Sequence, residues 1–381
     1  MTKETILANA KLVLPDDVVT GAVVIRDGVI THVDGGGAVP PGAVDCEGDY
    51  LSPGLIELHT DNLERHMKPR PNVDWPHRAA IVAHDRELAG TGITTVFDAI
   101  RVGSIHSHAL KRYNKYARGM ADEILEMRSA GHLKISHHIH LRAEVCSETL
   151  VEEIDEFGPD DRVGIVSLMD HTPGQRQFRD LKKFEDYVCT KNNMPRDGFA
   201  EYCDFLRGLQ TTYGVANEKA AVKAAARFGA VLASHDDTTA NQVAQSHAYG
   251  IKLAEFPTTV EAAEACADKH IATIMGAPNL VRGGSHSGNV AASELAQFDL
   301  LDVLSSDYVP ASLLMGALLL ADQWDDMARG MATVTSAPAQ HAGLTDRGTL
   351  REGQRADLVR FGRMGRAPLV RGVWSAGNQV A

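Results

Sequence analysis

The sequence lacks most features that mark a secreted scaffold, a membrane protein or a nucleic-acid binder. Its five cysteines, Cys46, Cys146, Cys189, Cys203 and Cys266, are odd in number and widely spaced, with no Cys-x-x-Cys among them. That argues against a disulfide framework or a structural zinc knuckle and fits a reducing compartment. No run reaches the ~18 apolar residues of a membrane span. The opening Met1-Thr2-Lys3-Glu4 lacks the charged-then-apolar pattern of a secretory leader, so the expected location is cytoplasmic. Positive charge is scarce as well: 38 Lys and Arg face 50 Asp and Glu, a net charge of -12. Neither nucleic acid nor an anionic membrane is then expected as a partner, and an anionic ligand would need a local cluster of Lys and Arg. Internal repeats and low-complexity tracts are absent.

What is present is an ordinary globular composition, with 44% hydrophobic and 23% charged residues in 381. Residues 5–51 read as short strands and turns, including a hairpin signal at Asp27-Gly28, but are too few to close a sandwich. A similar piece returns over Gly348–Trp374. The expectation is a small β-sandwich domain built from both chain ends, 1–52 and 342–381, with 53–341 inserted between them. That middle alternates. Strand-like stretches near 55–61, 93–99, 135–144, 163–171, 230–236, 252–257, 271–277 and 302–307 are separated by helical patterns such as Ala79–Ala89, Tyr116–Ala130 and Glu218–Phe228. This is the α/β pattern of a (β/α)8 TIM-like barrel. The charged region 172–217 reads as a helical insertion.

Residues able to bind metal recur where these strands end. In Leu55-Ile-Glu-Leu-His-Thr-Asp-Asn62, period two puts Leu55, Glu57, His59 and Asp61 on one side, so an imidazole and a carboxylate aim at one point beyond the strand. The pair would serve as metal ligands or as a buried ion pair. On the third strand His138, His140, Arg142 and Glu144 share the inward side. The fourth, fifth and eighth strands end at His171, His235 and Asp307. Six ligand-type groups, His59, Asp61, Glu144, His171, His235 and Asp307, at one end of a barrel would repel or stay unpaired without cations. A pair of divalent ions resolves this, with zinc the default for an N/O site and manganese or iron the alternatives.

Longer motifs carry a resemblance. Pro53-Gly-Leu-Ile-Glu-Leu-His59, Gly92-Ile-Thr-Thr-Val-Phe-Asp98 and Gly353-Gln-Arg-Ala-Asp-Leu-Val359 resemble the amidohydrolase superfamily. Ser167-Leu-Met-Asp-His-Thr-Pro-Gly-Gln-Arg-Gln-Phe178, Ala233-Ser-His-Asp-Asp237, Ala254-Glu-Phe-Pro-Thr-Thr259, Val281-Arg-Gly-Gly-Ser-His-Ser-Gly-Asn289 and Ser305-Ser-Asp-Tyr308 are similar to its PhnM branch. The resemblance implies hydrolysis of alpha-D-ribose 1-methylphosphonate 5-triphosphate to the 5-phosphate and pyrophosphate, a step in carbon–phosphorus lyase use of phosphonates. It implies Asp307 as ligand and catalytic base, and Glu144 in place of the bridging lysine of many superfamily members. The triphosphate would be held by Lys68, Arg70, Gln175, Arg176, Arg282, Ser285 and His286, the last two in a glycine-rich turn before a helix starting near Asn289. The substrate would thus be a small phosphorylated sugar, with homo-oligomerisation left open. The rival on the same scaffold is hydrolysis of a C–N bond in a cyclic amide or acylated amine.

Overall fold

A computed structural model describes residues 4–70, 73–107, 115–192, 195–285 and 288–381. The first five strands are β1 (Glu4–Val13), β2 (Val18–Arg26), β3 (Val29–Gly35), β4 (Val44–Asp45) and β5 (Tyr50–Pro53). The next eight are β6 (Leu55–Thr60), β7 (Ile93–Val102), β8 (Ser136–Glu144), β9 (Val163–Met169), β10 (Val231–His235), β11 (Leu253–Glu255), β12 (Ala272–Gly276) and β13 (Val303–Ser305). The last three are β14 (Leu358–Met364), β15 (Ala367–Ser375) and β16 (Asn378–Gln379).

Both chain ends meet in one mixed sheet of order β16-β15-β14-β5-β1-β2-β3, with β4 beside β1. Pairing of β14 with β5 joins the two ends directly over Leu358–Phe361 and Tyr50–Pro53. The turn between β2 and β3 is Asp27-Gly28, both at positive φ (48° and 85°), the two-residue geometry whose twist suits a hairpin. Leu7, Leu12, Val23, Ile25, Leu51, Leu358 and Trp374 form this sheet's apolar core.

Strands β6 to β13 are parallel neighbours in chain order, and β13 returns to β6 where Thr60 bridges Asp307. Thr60 Oγ1 and the Asp61 amide both donate to the Asp307 carbonyl, at 2.7 and 2.9 Å, which fastens the seam. Helices such as His77–Gly90, Ala117–Ser129 and Val215–Phe228 cover the outside. Alternation on β8 runs as period two requires, with Ile139, Leu141 and Ala143 packing outward against Met120 and Ile124.

Strand β6 departs from that rule. Its register against β7 advances from Glu57–Val96 to Thr60–Asp98, three residues against two, so it carries a β-bulge. Ile56 and Leu58 join the inner cluster with Phe97, Ile165, Leu253, Ile274 and Val303. Glu57 therefore does not share a side with His59. Its carboxylate sits in the seam instead, accepting from the His59 amide (2.8 Å), Ser305 Oγ (2.9 Å) and the Ser306 amide (2.6 Å). Burial and those donors act oppositely on Glu57, and burial prevails, pushing its carboxyl up to about 7.

The insertion is helical, as its charge pattern suggested. A 3-10 turn at Arg176–Phe178 leads to helices Leu181–Asn192 and Phe199–Leu209. Phe184, Val188, Tyr202, Leu206 and Leu209 form an apolar core with Ile105, which follows β7. The helix expected near Asn289 begins later, at Ala292, and has only six residues; Asn279 Oδ1 accepts from its Ala292 amide at 3.0 Å. All five cysteines are buried free thiols. Among the described residues, no helix is long and apolar enough to cross a membrane.

Candidate active site

The barrel's C-terminal rim is where the polar side chains converge. Asp236, Phe256 and Asp307, just past β10, β11 and β13, have φ of 57°, 56° and 53°. Left-handed backbone is disfavoured for residues with a Cβ and concentrates at functional sites. Here it turns the chain at three strand ends, and all three residues line one open cleft of about 570 Å³. Gln177, Arg282 and Ser285 belong to the same lining.

Two clusters are placed to hold cations. In the first, His59, His235 and Glu255 bring ligand atoms within 4.8 Å of one another. Glu255 Oε1 is 3.1 Å from His59 Nδ1 and 3.6 Å from His140 Nε2, and its Oε2 is 3.0 Å from His235 Nδ1. In the second, His171, His235 and Asp236 meet the same limit. His235 Nε2 is 3.2 Å from Asp236 Oδ2, and the His171 and His235 ring centres are 6.0 Å apart. His235 thus belongs to both.

The electrostatics suit a cation. Burial pulls His59 down to about 3 and His140 and His235 to about 4, so these imidazoles are neutral, and those of His59 and His235 keep lone pairs for ligation. Burial also lifts Asp236 to about 7 and Asp307 to about 8, the second helped by the nearby charge of Asp61. Such carboxyls hold protons until positive charge arrives. His171 is raised; burial opposes this, but the charge and 2.5 Å hydrogen bond of Glu144 outweigh it. The fit to a divalent ion is tested most directly by the polar atoms burial leaves without a partner. His59 Nδ1, Glu255 Oε1 and Glu144 Oε1 are buried and make no hydrogen bond, although the first two are only 3.1 Å apart. Two unsatisfied buried ligand atoms facing each other are what a shared cation would resolve.

The expected residues fall in different places. His59, His171 and His235 enter the two clusters, while Asp61, Glu144 and Asp307 enter neither. Asp61 is held by an ion pair with Arg142, Glu144 by His171, and Asp307 lines the cleft. Arg282 and Ser285 line the cleft too, whereas Lys68 and Arg70 are exposed and are not part of its lining. Gln175 and Arg176 are engaged by the protein itself. Gln175 Nε2 donates to Asp170 Oδ2 at 2.6 Å, and Arg176 pairs with Asp237 at 2.6 Å and donates to the His235 carbonyl at 2.8 Å. His286 lies outside the described residues.

Sequence reasoning missed Glu255 and Asp236. Glu255 ends the sixth barrel strand, so the end-of-strand rule that found His171 and His235 would have found it too. Asp236 follows His235 and falls on the wrong face of a straight strand; only its φ of 57° brings it round. A third group lies between helix His77–Gly90 and the barrel wall. Asp98 accepts from His84 Nε2 (2.8 Å) and His137 Nδ1 (2.7 Å), and His137 Nε2 lies 3.3 Å from Asp85, all four residues being buried.

No family model matches the chain. It is 42% identical over 378 residues, covering 98% of this chain and 100% of the other, to alpha-D-ribose 1-methylphosphonate 5-triphosphate diphosphatase of Escherichia coli (strain K12). Among solved structures it resembles N-isopropylammelide isopropylaminohydrolase from Burkholderia multivorans, with TM-score 0.63, 17% identity, and 99% and 98% of the two chains covered. It also resembles 5-methylcytosine deaminase from Klebsiella pneumoniae, with TM-score 0.65, 15% identity and the same coverage. At such identities these two likenesses bear on the fold alone.

Proposed function

Because the chain belongs to the alpha-D-ribose 1-methylphosphonate 5-triphosphate diphosphatase family of the amidohydrolase superfamily, we propose that it hydrolyses that triphosphate to the 5-phosphate and pyrophosphate in phosphonate catabolism. The observation carrying this reading is 42% identity across 98% of the chain, which takes in every strand end that builds the cleft. The charge distribution agrees: Asp236 and Asp307 share the cleft with Arg282, Gly284 and Ser285, so carboxylates and phosphate-type donors face one space.

Two divalent ions complete the centre in this reading, zinc by donor type with manganese or iron as alternatives. His59, His235 and Glu255 would hold one, and His171 and Asp236, sharing His235, the other. When bound, such ions lower the pKa of water from 15.7 to roughly 7 and draw charge from a phosphoryl oxygen. The chain's own groups do the rest. Arg142 fixes Asp61 at the seam. Asp307 takes the proton from the water that attacks the α-phosphorus, acting as general base. Arg282 and the Ser285 hydroxyl face the β- and γ-phosphates, which depart together as pyrophosphate, and their charge and hydrogen bonding stabilise that leaving group.

The test is to strip metal with a chelator, restore zinc, manganese or iron in turn, and assay pyrophosphate release from ribose 1-methylphosphonate 5-triphosphate beside ammonia or carboxylate release from cyclic amides. Metal-dependent pyrophosphate release is expected. Turnover of amides without pyrophosphate would instead make it a C–N hydrolase.

A further inference from the structure

The short helix Asn62–Met67 follows β6 and reaches across the barrel seam to the loop that carries Asp307. The Asn62 amide donates to Thr60 Oγ1 at 3.2 Å, and that hydroxyl donates onward to the Asp307 carbonyl at 2.7 Å. One turn on, the Arg65 guanidinium donates to the Tyr308 carbonyl at 2.8 Å. Two successive carbonyls of the loop are thus held from this helix and the residues that lead into it. Asp307 has a φ of 53°, a backbone state that persists for a residue with a Cβ only where its surroundings enforce it. These anchors, with the Asp61 amide 2.9 Å from the Asp307 carbonyl, supply that enforcement.

The helix is itself held from outside the barrel. Asn62 Nδ2 donates to Glu87 Oε2 at 2.8 Å and to His84 Nδ1 at 3.0 Å, both residues lying on helix His77–Gly90. His66 Nε2 lies 2.7 Å from the same Glu87 oxygen, so one carboxylate gathers two turns of the short helix. Burial pushes His84 down, so its ring is neutral, and Nδ1 accepts while Nε2 donates to Asp98 at 2.8 Å. Asp98 belongs to β7, the barrel strand beside β6. A connected path therefore runs from the barrel wall through His84, Asn62 and Thr60 to Asp307. We propose that Glu87, His84 and Arg65 are positioning residues, which act through helix Asn62–Met67 to hold the Asp307 carboxylate where it meets the attacking water. This rests on Asp307 serving as general base. None of the three lines the cleft. A base works only within hydrogen-bond reach of the proton it takes, and a displacement of about 1 Å costs on the order of 100-fold in rate.

The experiment compares Arg65→Met, Glu87→Ala and Glu87→Gln with Arg78→Met, which removes an exposed ion pair between the outer helix and Glu126. Arg65 is exposed and Glu87 partly so, and these variants should keep the fold. For each metal-loaded protein, kcat and KM are measured for pyrophosphate release from the 5-triphosphate. Amide hydrogen exchange is followed by mass spectrometry in peptides containing Asp61 and Val309, whose amides donate to the Asp307 and Ser306 carbonyls at 2.9 Å. Arg65→Met and Glu87→Ala should lower kcat roughly 10- to 100-fold with KM nearly unchanged, and should speed exchange in both peptides. Glu87→Gln, which keeps an oxygen for Asn62, should recover part of the loss, and Arg78→Met should match the wild type. A raised KM with wild-type kcat in Arg65→Met would make that residue a phosphate ligand and overturn the proposal. Unchanged exchange in Arg65→Met and Glu87→Ala, or equal losses in Arg78→Met, would overturn it too. Faster exchange in a protein that releases no pyrophosphate would uphold the hold on Asp307 and remove the triphosphate reading alone.

Discussion

Replacing Glu255 by glutamine separates a ligand from a structural ion-pair partner. The carboxylate is fully buried, 3.0 and 3.1 Å from two imidazoles that burial keeps neutral, and its Oε1 makes no hydrogen bond. Without a cation its charge is poorly compensated, so glutamine should leave metal-free stability nearly unchanged or slightly higher. With metal the effect reverses. Losing a charged ligand should weaken metal affinity by at least the roughly 10- to 100-fold seen for residues that support a ligand. At the upper figure, the stabilisation gained by saturating metal shrinks by about 2.7 kcal/mol. Thermal unfolding of both forms, with and without a series of zinc concentrations, reads the two quantities separately. A metal-free variant that is several kcal/mol less stable than wild type, with unaltered metal affinity, would refute the reasoning.

Arg176→Met should destabilise the protein by about 3–5 kcal/mol in denaturant unfolding, because it leaves the Asp237 carboxylate buried without its cation; a loss under about 1 kcal/mol would contradict the pairing. Glu57→Ala strands the His59 and Ser306 amides in the barrel seam, for a loss on the order of 2–5 kcal/mol by the same assay, accompanied by weaker metal binding if the bulge is what turns His59 inward. His137 supplies a pH signature. Burial works against its charge, but Asp98 and Asp85 overcome this and raise it to about 9. A raised folded pKa contributes stability that is complete below about 6.5 and lost as pH climbs through about 9, on the order of 1–3 kcal/mol. Denaturation midpoints between about pH 6 and 10 should therefore fall in the wild type and flatten in His137→Asn; equal slopes would contradict the assignment.

Much of the fold was legible because its signals are local. All eight barrel strands were anticipated, since short apolar runs, most of them ending in His, Asp or Glu, alternate with helical patterns of ordinary length, and the Asp27-Gly28 turn was marked by its chemistry. What escaped depends on backbone geometry that residue types do not encode. The bulge in β6 reverses the inside–outside assignment between Glu57 and His59, and the left-handed backbone at Asp236 swings a residue onto the face that period two denies it. Partner identity was hidden as well. Arg176 looked like a phosphate ligand because Asp237, 61 residues further along, was not known to be beside it.

The central claim, that a rim of barrel carboxylates and imidazoles directs water at the phosphorus nearest the sugar, is tested most directly by isotope position. Metal-loaded protein turning over ribose 1-methylphosphonate 5-triphosphate in oxygen-18 water should place the heavy oxygen in the ribosyl 5-phosphate, read as an upfield-shifted phosphorus resonance, and none in pyrophosphate. Heavy oxygen in the pyrophosphate, or inorganic phosphate as the released product, would contradict it.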